Sequence, residues 1–143
     1  MIAKVTGILE RVDENAVFLK VGQLTYQVLV SASALEALKN RWHNEPEQEI
    51  SQHTLSYIEG ISGVGNAHPR LVGFLHHKDL EFFERYIAVQ GLGIRKALRS
   101  LTVPIRQLAE AIERNNLEYL VKLPEIGKRT AEKVVAELLT RFE

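Results

Sequence analysis

The chain has 143 residues, 45% of them hydrophobic and 25% charged, with 18 Lys and Arg against 18 Asp and Glu. Such a chain buries one ordinary core or two small ones and is not compositionally disordered. The neutral balance removes any global pull toward polyanions, the absence of cysteine excludes disulfides, iron–sulfur clusters and thiolate zinc sites, and no apolar run reaches membrane-spanning length.

Residues 1–75 read as strands. Ile2 to Leu9 and Ala16 to Val21 are short and rich in β-branched residues, and Leu24 to Val30 alternates around Tyr26. A helix is predicted over about Ala34 to Lys39, where Ser33 and Glu36 have the spacing of a capping box. Glu49 to Ile58 and Arg70 to Leu75 are predicted strands on either side of EGISGVGNAHP, whose glycines, asparagine and proline mark a long turn. Three strands, a helix and two strands is the element order of a five-stranded oligonucleotide-binding (OB-fold) barrel. From residue 76 to 143 the apolar spacing changes to three and four: LEFFERYIA, PIRQLAEAIER, LEYLVKL and KRTAEKVVAELLTRF read as helices, with Pro104 where one begins. The predicted class is α+β, an N-terminal OB-fold barrel over 1–75 followed by an all-α domain over 76–143.

One pattern in the helical part occurs twice. Moving VQGLGIRKAL (residues 89–98) along by 34 positions lays Val89 on Leu123, Gly91 on Glu125, Leu92 on Ile126, Gly93 on Gly127, Arg95 on Arg129 and Ala97 on Ala131. Two copies without a tetratricopeptide signature read as a duplicated hairpin between helices rather than a solenoid. Glycines in such a hairpin let backbone approach a ligand, and the next helix points free amides and the positive end of its dipole at an anion. Arg95 and Lys96 in the first copy, and Lys128 and Arg129 in the second, add Coulomb attraction. A phosphate fits this chemistry, and since neither copy offers a helix for reading bases, the contact suits a nucleic-acid backbone without sequence preference. The predicted phosphate-binding residues are Gly91, Leu92, Gly93, Arg95 and Lys96 in the first hairpin and Lys122, Ile126, Gly127, Lys128 and Arg129 in the second, with the amides of Gly91, Leu92, Gly93, Ile126 and Gly127 as donors. A lone Gly-x-Gly is ordinarily a helix C-cap and turn; the second copy is what favours a binding role.

The paired hairpins resemble the helix-hairpin-helix motif. From MIAKVTGIL through LVGF and VQGLGIRKAL to LVKLPEIGKRTAEKVVAEL, the chain resembles the first two domains of the RuvA family, which binds Holliday junctions within the bacterial branch-migration machine. The resemblance implies a homotetramer, or an octamer on DNA, with barrels at the centre and hairpin domains outward, gripping four-way junction DNA by its phosphates during recombination and repair. It implies no catalytic residue, no cofactor and no metal. ATP hydrolysis belongs to a partner, a RuvB-type AAA+ motor. The implied location is the bacterial cytoplasm, associated with the nucleoid, and the cysteine-free composition fits a reducing compartment.

Three departures from the family pattern carry expectations. Where the family reads Pro-Gly-Ile-Gly, this chain has Pro124, Glu125, Ile126 and Gly127, which is expected to weaken the second hairpin unless the carboxylate turns outward to Lys122 or Lys128. Where the family sets two neighbouring acidic residues as a pin at the junction centre, YIEGISGVGNAHPR has Glu59 alone, so pin function is expected to be reduced. After LLTRFE the family continues through a linker to a domain that docks RuvB; if the protein ends here, junction binding without the usual docking is expected, and if the sequence is a piece of a longer chain nothing follows from where it stops. The remaining features have plain readings: Arg99, Lys133 and Arg141 as a solvated face, His76 and His77 with divergent directions unsuited to one metal, Asp79 as a first-turn carboxylate, Trp42 and Tyr57 as partly buried aromatics.

Two other classes compete. DNA glycosylases with helix-hairpin-helix motifs carry a similar LPGxGxxTA stretch with a lysine in the hairpin helix and an aspartate downstream. Here Arg129 falls at the lysine position, and Asp13 and Asp79 both precede the hairpin, so base excision lacks its nucleophile and base. A protein-interaction scaffold is compatible with neutral charge, and the salt dependence of DNA binding separates it from the phosphate reading.

Overall fold

The computed structural model describes residues 1–60 and 66–139. The chain divides into two compact units, the first formed by Met1–Val30 with Ala34–Leu80, the second by Ser31–Ser33 with the segment from Glu81 onward. Among the described residues no helix is long and apolar enough to cross a membrane.

The first unit is a closed five-stranded barrel with one helix. β1 (Lys4–Val12), β2 (Ala16–Val21) and β3 (Leu24–Leu29) form an antiparallel meander, α1 (Ala32–Asn44) follows, and β4 (Glu49–Glu59) and β5 (His68–Phe74) complete the order β1-β2-β3-β5-β4. Closure takes two pairings: β4 runs antiparallel to β1, and β5 runs parallel to β3 with Val28 opposite Leu71. Alternation explains the inside. Val5, Gly7 and Leu9 of β1 are buried while Lys4 and Thr6 are exposed, and Ile50, Gln52 and Thr54 of β4 repeat the pattern. Gly22, at φ +64, makes the tight turn between β2 and β3, whose register pairs Val21 with Leu24. Leu38 of α1 joins Val5, Leu9, Val17, Leu19, Val28, Val30 and Ile50 in the core, with Trp42 packed half-buried against them. The structure is thus the α+β barrel-then-helices arrangement read from the sequence.

Gly73 is needed where β5 crosses the interior. A Cβ there would lie 2.5 Å from Val28 Cγ1 and 2.8 Å from the side-chain oxygen of buried Gln52. Gly73→Ala is therefore expected to cost about 1–3 kcal/mol of stability. Chemical denaturation measures it, and a loss below measurement error would mean that β5 does not pack this way.

Several boundaries differ from expectation for physical reasons. β1 runs from Lys4 to Val12 rather than Ile2 to Leu9, because an irregularity between Leu9 and Arg11 resets the register and lets Arg11 and Val12 pair with Phe18 and Val17. β5 starts at His68, opposite Glu59. α1 is longer at both ends than Ala34 to Lys39. Ser33 therefore lies inside its first turn and the Ser33–Glu36 capping box does not form as spaced; at the other end Arg41 and His43 complement the helix dipole. Most of the predicted long turn, residues 61–65, lies outside the described residues, as does the end of the last predicted helix, 140–143.

The second unit is helical. α2 (His77–Ile87), α3 (Ile94–Ser100), α4 (Ile105–Glu113), α5 (Leu117–Val121) and α6 (Lys128–Leu139) follow in order, and the boundary between the units falls within α2 after Leu80. Phe83, Tyr86, Leu101, Leu108, Ile112, Leu120 and Leu138 are almost wholly buried, and α4, α5 and α6 pack on one another. Pro104 stands as the N-cap of α4 in an extended conformation. Asn116 caps α5, its side-chain oxygen accepting from the Tyr119 amide at 3.2 Å. Asp79 lies in the first turn of α2, where burial pushes its carboxyl above the ordinary 3.8.

Candidate nucleic-acid interface

The sequence repeat is a repeat of backbone hydrogen bonds. In the turn between α2 and α3, the amides of Ala88, Val89 and Leu92 donate to the carbonyls of Arg85, Tyr86 and Val89, at 3.2, 3.2 and 3.1 Å. In the turn between α5 and α6, those of Lys122, Leu123 and Ile126 donate to Tyr119, Leu120 and Leu123, at 3.2, 3.1 and 3.2 Å. The helices that follow open alike, with Ala97 donating to Gly93 and Ala131 to Gly127, both at 2.9 Å. Even the left-handed residue recurs, Gly91 at φ +88 and Glu125 at φ +69.

Packing shows why the turns are rigid. Val89 and Leu92 are buried under the first hairpin, Leu123 and Ile126 under the second, and Ala97 and Ala131 at 0% exposure let the following helix approach closely. Tyr86 and Ser100 lie at matching places to Leu120 and Val134. The first pair is joined by a 2.7 Å hydroxyl contact, with Ser100 Oγ also donating to the Ala97 carbonyl at 2.7 Å, and the second pair is apolar and buried. Burial pushes the Tyr86 phenol above its ordinary 10.0. The folded state therefore holds this phenol neutral where the unfolded chain ionises it, so its contribution is complete below pH 10 and declines as pH rises past that value. Tyr86→Phe is expected to remove this alkaline decline and to cost about 0.5–1.5 kcal/mol at neutral pH through the lost hydrogen bond. Denaturation at pH 7 and across the alkaline range checks both; an unchanged alkaline profile would contradict the assignment.

The predicted site residues take distinct places in this geometry. Leu92 and Ile126 are corrected: their amides are committed inside the turns and their side chains are buried, so they anchor the hairpins rather than donate outward. Gly91, Gly93 and Gly127 are exposed, and a Cβ at any of them would meet nothing within 4 Å. Gly93 caps α3 without a side-chain hydrogen bond, and the amides of Ile94, Arg95 and Lys96 precede the first helical bond of α3, as those of Lys128, Arg129 and Thr130 do in α6. Lys96, Lys122, Lys128 and Arg129 are exposed and make no ion pair among the described residues; Arg95 is half-buried. Each hairpin thus sets the opening amides of a helix and exposed cations, Lys96 in one and Lys128 and Arg129 in the other, beside the same turn, an arrangement suited to an anion held by backbone. Glu125 finds neither Lys122 nor Lys128: its Oε1 accepts from Arg99 Nε at 3.1 Å, a contact that sequence spacing did not signal.

Glu59, the candidate pin residue, is held along the sheet. Its two carboxylate oxygens accept from Tyr57 Oη at 2.9 Å and Arg70 Nε at 3.2 Å, along the β4–β5 ladder. The pairing sets the Arg70 guanidinium beside this carboxylate, in line with the reduced pin function expected of a lone Glu59. Beside it lies a groove of about 640 Å³ lined chiefly by Ile2, Tyr26, Tyr57, Ile58, Pro69 and Leu71.

Barrel and duplicated hairpin together define a two-domain protein of the OB-fold plus helix-hairpin-helix class. Comparison with known proteins agrees part by part: residues 1–60 match the family model described as RuvA N terminal domain, and residues 83–139 that described as SAM-like Helix-hairpin-helix tandem. Proteins named Holliday junction branch migration complex subunit RuvA align along nearly the whole chain. The one from Rhodopirellula baltica is 38% identical, covering 96% of this chain and 65% of its own length; that from Desulfosudis oleivorans is 33% identical, covering 96% and 64%. The one from Histophilus somni is 32% identical, covering 100% and 65%. The chain is thus similar to RuvA proteins along nearly its whole length, and it spans just under two thirds of the length of the relatives it matches.

Proposed function

We propose that this chain binds four-way junction DNA by structure and without sequence preference, as the non-catalytic subunit of a RuvAB-type branch-migration complex in recombination and repair. The observation that carries the reading is the duplicated hairpin, with the same hydrogen bonds closing both turns and exposed cations at both helix starts. The relatives' shared name, a Holliday junction branch migration complex subunit, supports it. In this reading the residues that meet phosphate are Gly91, Gly93, Arg95 and Lys96 in one hairpin and Lys122, Gly127, Lys128 and Arg129 in the other. Backbone amides and cations grip phosphates, and base edges are not read.

The assembly is a homotetramer, forming an octamer on DNA, in the bacterial cytoplasm at the nucleoid. The exposed Ile58 and the apolar groove on the barrel support contacts between barrels. Four copies convert weak phosphate contacts into tight binding, because once one arm is held the others bind at high effective concentration. A RuvB-type AAA+ motor supplies ATP hydrolysis.

A competition titration tests the reading: labelled four-way junction against linear duplex of equal length, at two salt concentrations, with light scattering on the same sample. The expected result is a tetramer preferring the junction by at least about tenfold, with affinity falling as salt rises. Equal affinity for both DNAs would reduce the chain to a general duplex binder, and absence of binding would overturn the reading.

A further inference from the structure

The two hairpins match in backbone and differ in charge. Gly91 adopts the left-handed conformation without a side chain, whereas Glu125 adopts it at φ +69, a region that residues bearing a side chain rarely enter. The Glu125 carboxylate lies one residue before the buried anchor Ile126 and two before Gly127, and it is joined to Arg99 on α3, the helix that follows the first hairpin. Arg99 is a full turn beyond the cations that open α3, and this bond ties the second turn to that helix.

We propose that Glu125 makes the two hairpins unequal: it fixes a negative charge beside the second turn and engages Arg99 in a surface ion pair, so the second hairpin grips phosphate weakly and the first carries most of the contact. This rests on the hairpins being phosphate sites. A carboxylate and a phosphate repel each other, and they are rival acceptors for one guanidinium. With Glu125 in place Arg99 is engaged within the protein. Without it, a further cation becomes available to DNA, and the second hairpin becomes the electrostatic equal of the first.

The experiment compares Glu125→Gln, Glu125→Gly, Gly91→Glu, Gly91→Gln and the double variant Glu125→Gln with Arg99→Gln against the unaltered chain, on one four-way junction across a salt series, with thermal unfolding on each sample to verify folding. Glu125→Gln keeps a side chain in the left-handed position and removes only charge. It is expected to tighten binding at least about three- to tenfold and to steepen the log–log salt slope by up to about four, about 0.9 for each of the four Arg99 side chains in the proposed tetramer. Glu125→Gly gains at least as much, and the double variant loses the added slope because Arg99 is no longer there to use. Gly91→Glu, at φ +88 where a side chain meets no atom within 4 Å but strains the backbone, is expected to weaken binding by more than Glu125→Gln strengthens it, and by more than Gly91→Gln, which carries the same strain without the charge. If the two Glu125 variants bind as the unaltered chain does while Gly91→Glu weakens, the hairpins bind phosphate and the inequality is wrong. A gain with glycine but not with glutamine assigns the difference to backbone strain and also overturns the proposal. If no variant changes binding, the hairpins are not the site and both readings fall.

Discussion

Replacing Lys96 and Lys128 together by glutamine is expected to weaken junction binding by at least about a hundredfold near 0.15 M salt, and to flatten its salt dependence by several units. Both side chains are exposed at the first turns of α3 and α6, and neither makes an ion pair among the described residues. Their charge is therefore available to a ligand and is not engaged in holding the fold. Each phosphate contact released contributes about 0.9 to the slope of log affinity against log salt, and in the proposed tetramer every lysine would count four times. Glutamine has a helix propensity close to that of lysine, so the unfolding free energy should change by no more than about 0.3 kcal/mol. A filter-binding or anisotropy salt series reads the effect. Unchanged affinity with unchanged folding would remove the hairpin cations from the interface.

Leu120→Ala is expected to cost about 2–5 kcal/mol of unfolding free energy, the range for emptying a buried leucine site. Leu120 is 1% exposed, its carbonyl accepts the Leu123 amide that helps close the second hairpin, and it occupies the place that Tyr86 holds in the first copy. Leu138, Val134 and Ile112 are equally buried in the same helical unit, so the lost side chain leaves a cavity rather than a surface dimple. The first copy fills its equivalent place with a hydrogen-bonded Tyr86–Ser100 pair, the second with apolar side chains only. A cavity there is expected to loosen the turn that carries Gly127 and Lys128, so that, if this turn meets phosphate as proposed, junction affinity falls along with stability. Urea denaturation followed by circular dichroism measures the first effect, and a loss under about 1 kcal/mol would contradict the packing described.

Much of this was legible because it is local. β2 begins and ends at Ala16 and Val21 as its β-branched pattern indicates, α5 and α6 follow their apolar spacing, and the hairpin repeat is written in residues 34 apart that take the same turn twice. What could not be read depends on pairing across the chain. The parallel contact of β3 with β5, the register irregularity that lengthens β1, and the Arg99–Glu125 bond between residues 26 apart in sequence all arise from the way elements meet. The capping-box spacing of Ser33 and Glu36 misled because it is a local signal that the longer α1 overrides, its start set at Ala32. The hairpin pattern marks Leu92 and Ile126 for the ligand, whereas both side chains are buried and both amides are bonded within the turn, beside neighbours that remain exposed.

The most direct measurement is an amide NMR titration of the isotope-labelled chain with four-way junction DNA. The expected result is that the amides of Gly91, Gly93, Arg95, Gly127 and Arg129 shift strongly, while those of Leu92 and Ile126, already bonded within their turns at 3.1 and 3.2 Å, move little. Shifts confined to the barrel, with the hairpin amides unmoved at saturating DNA, would contradict the claim that paired hairpins hold the phosphates.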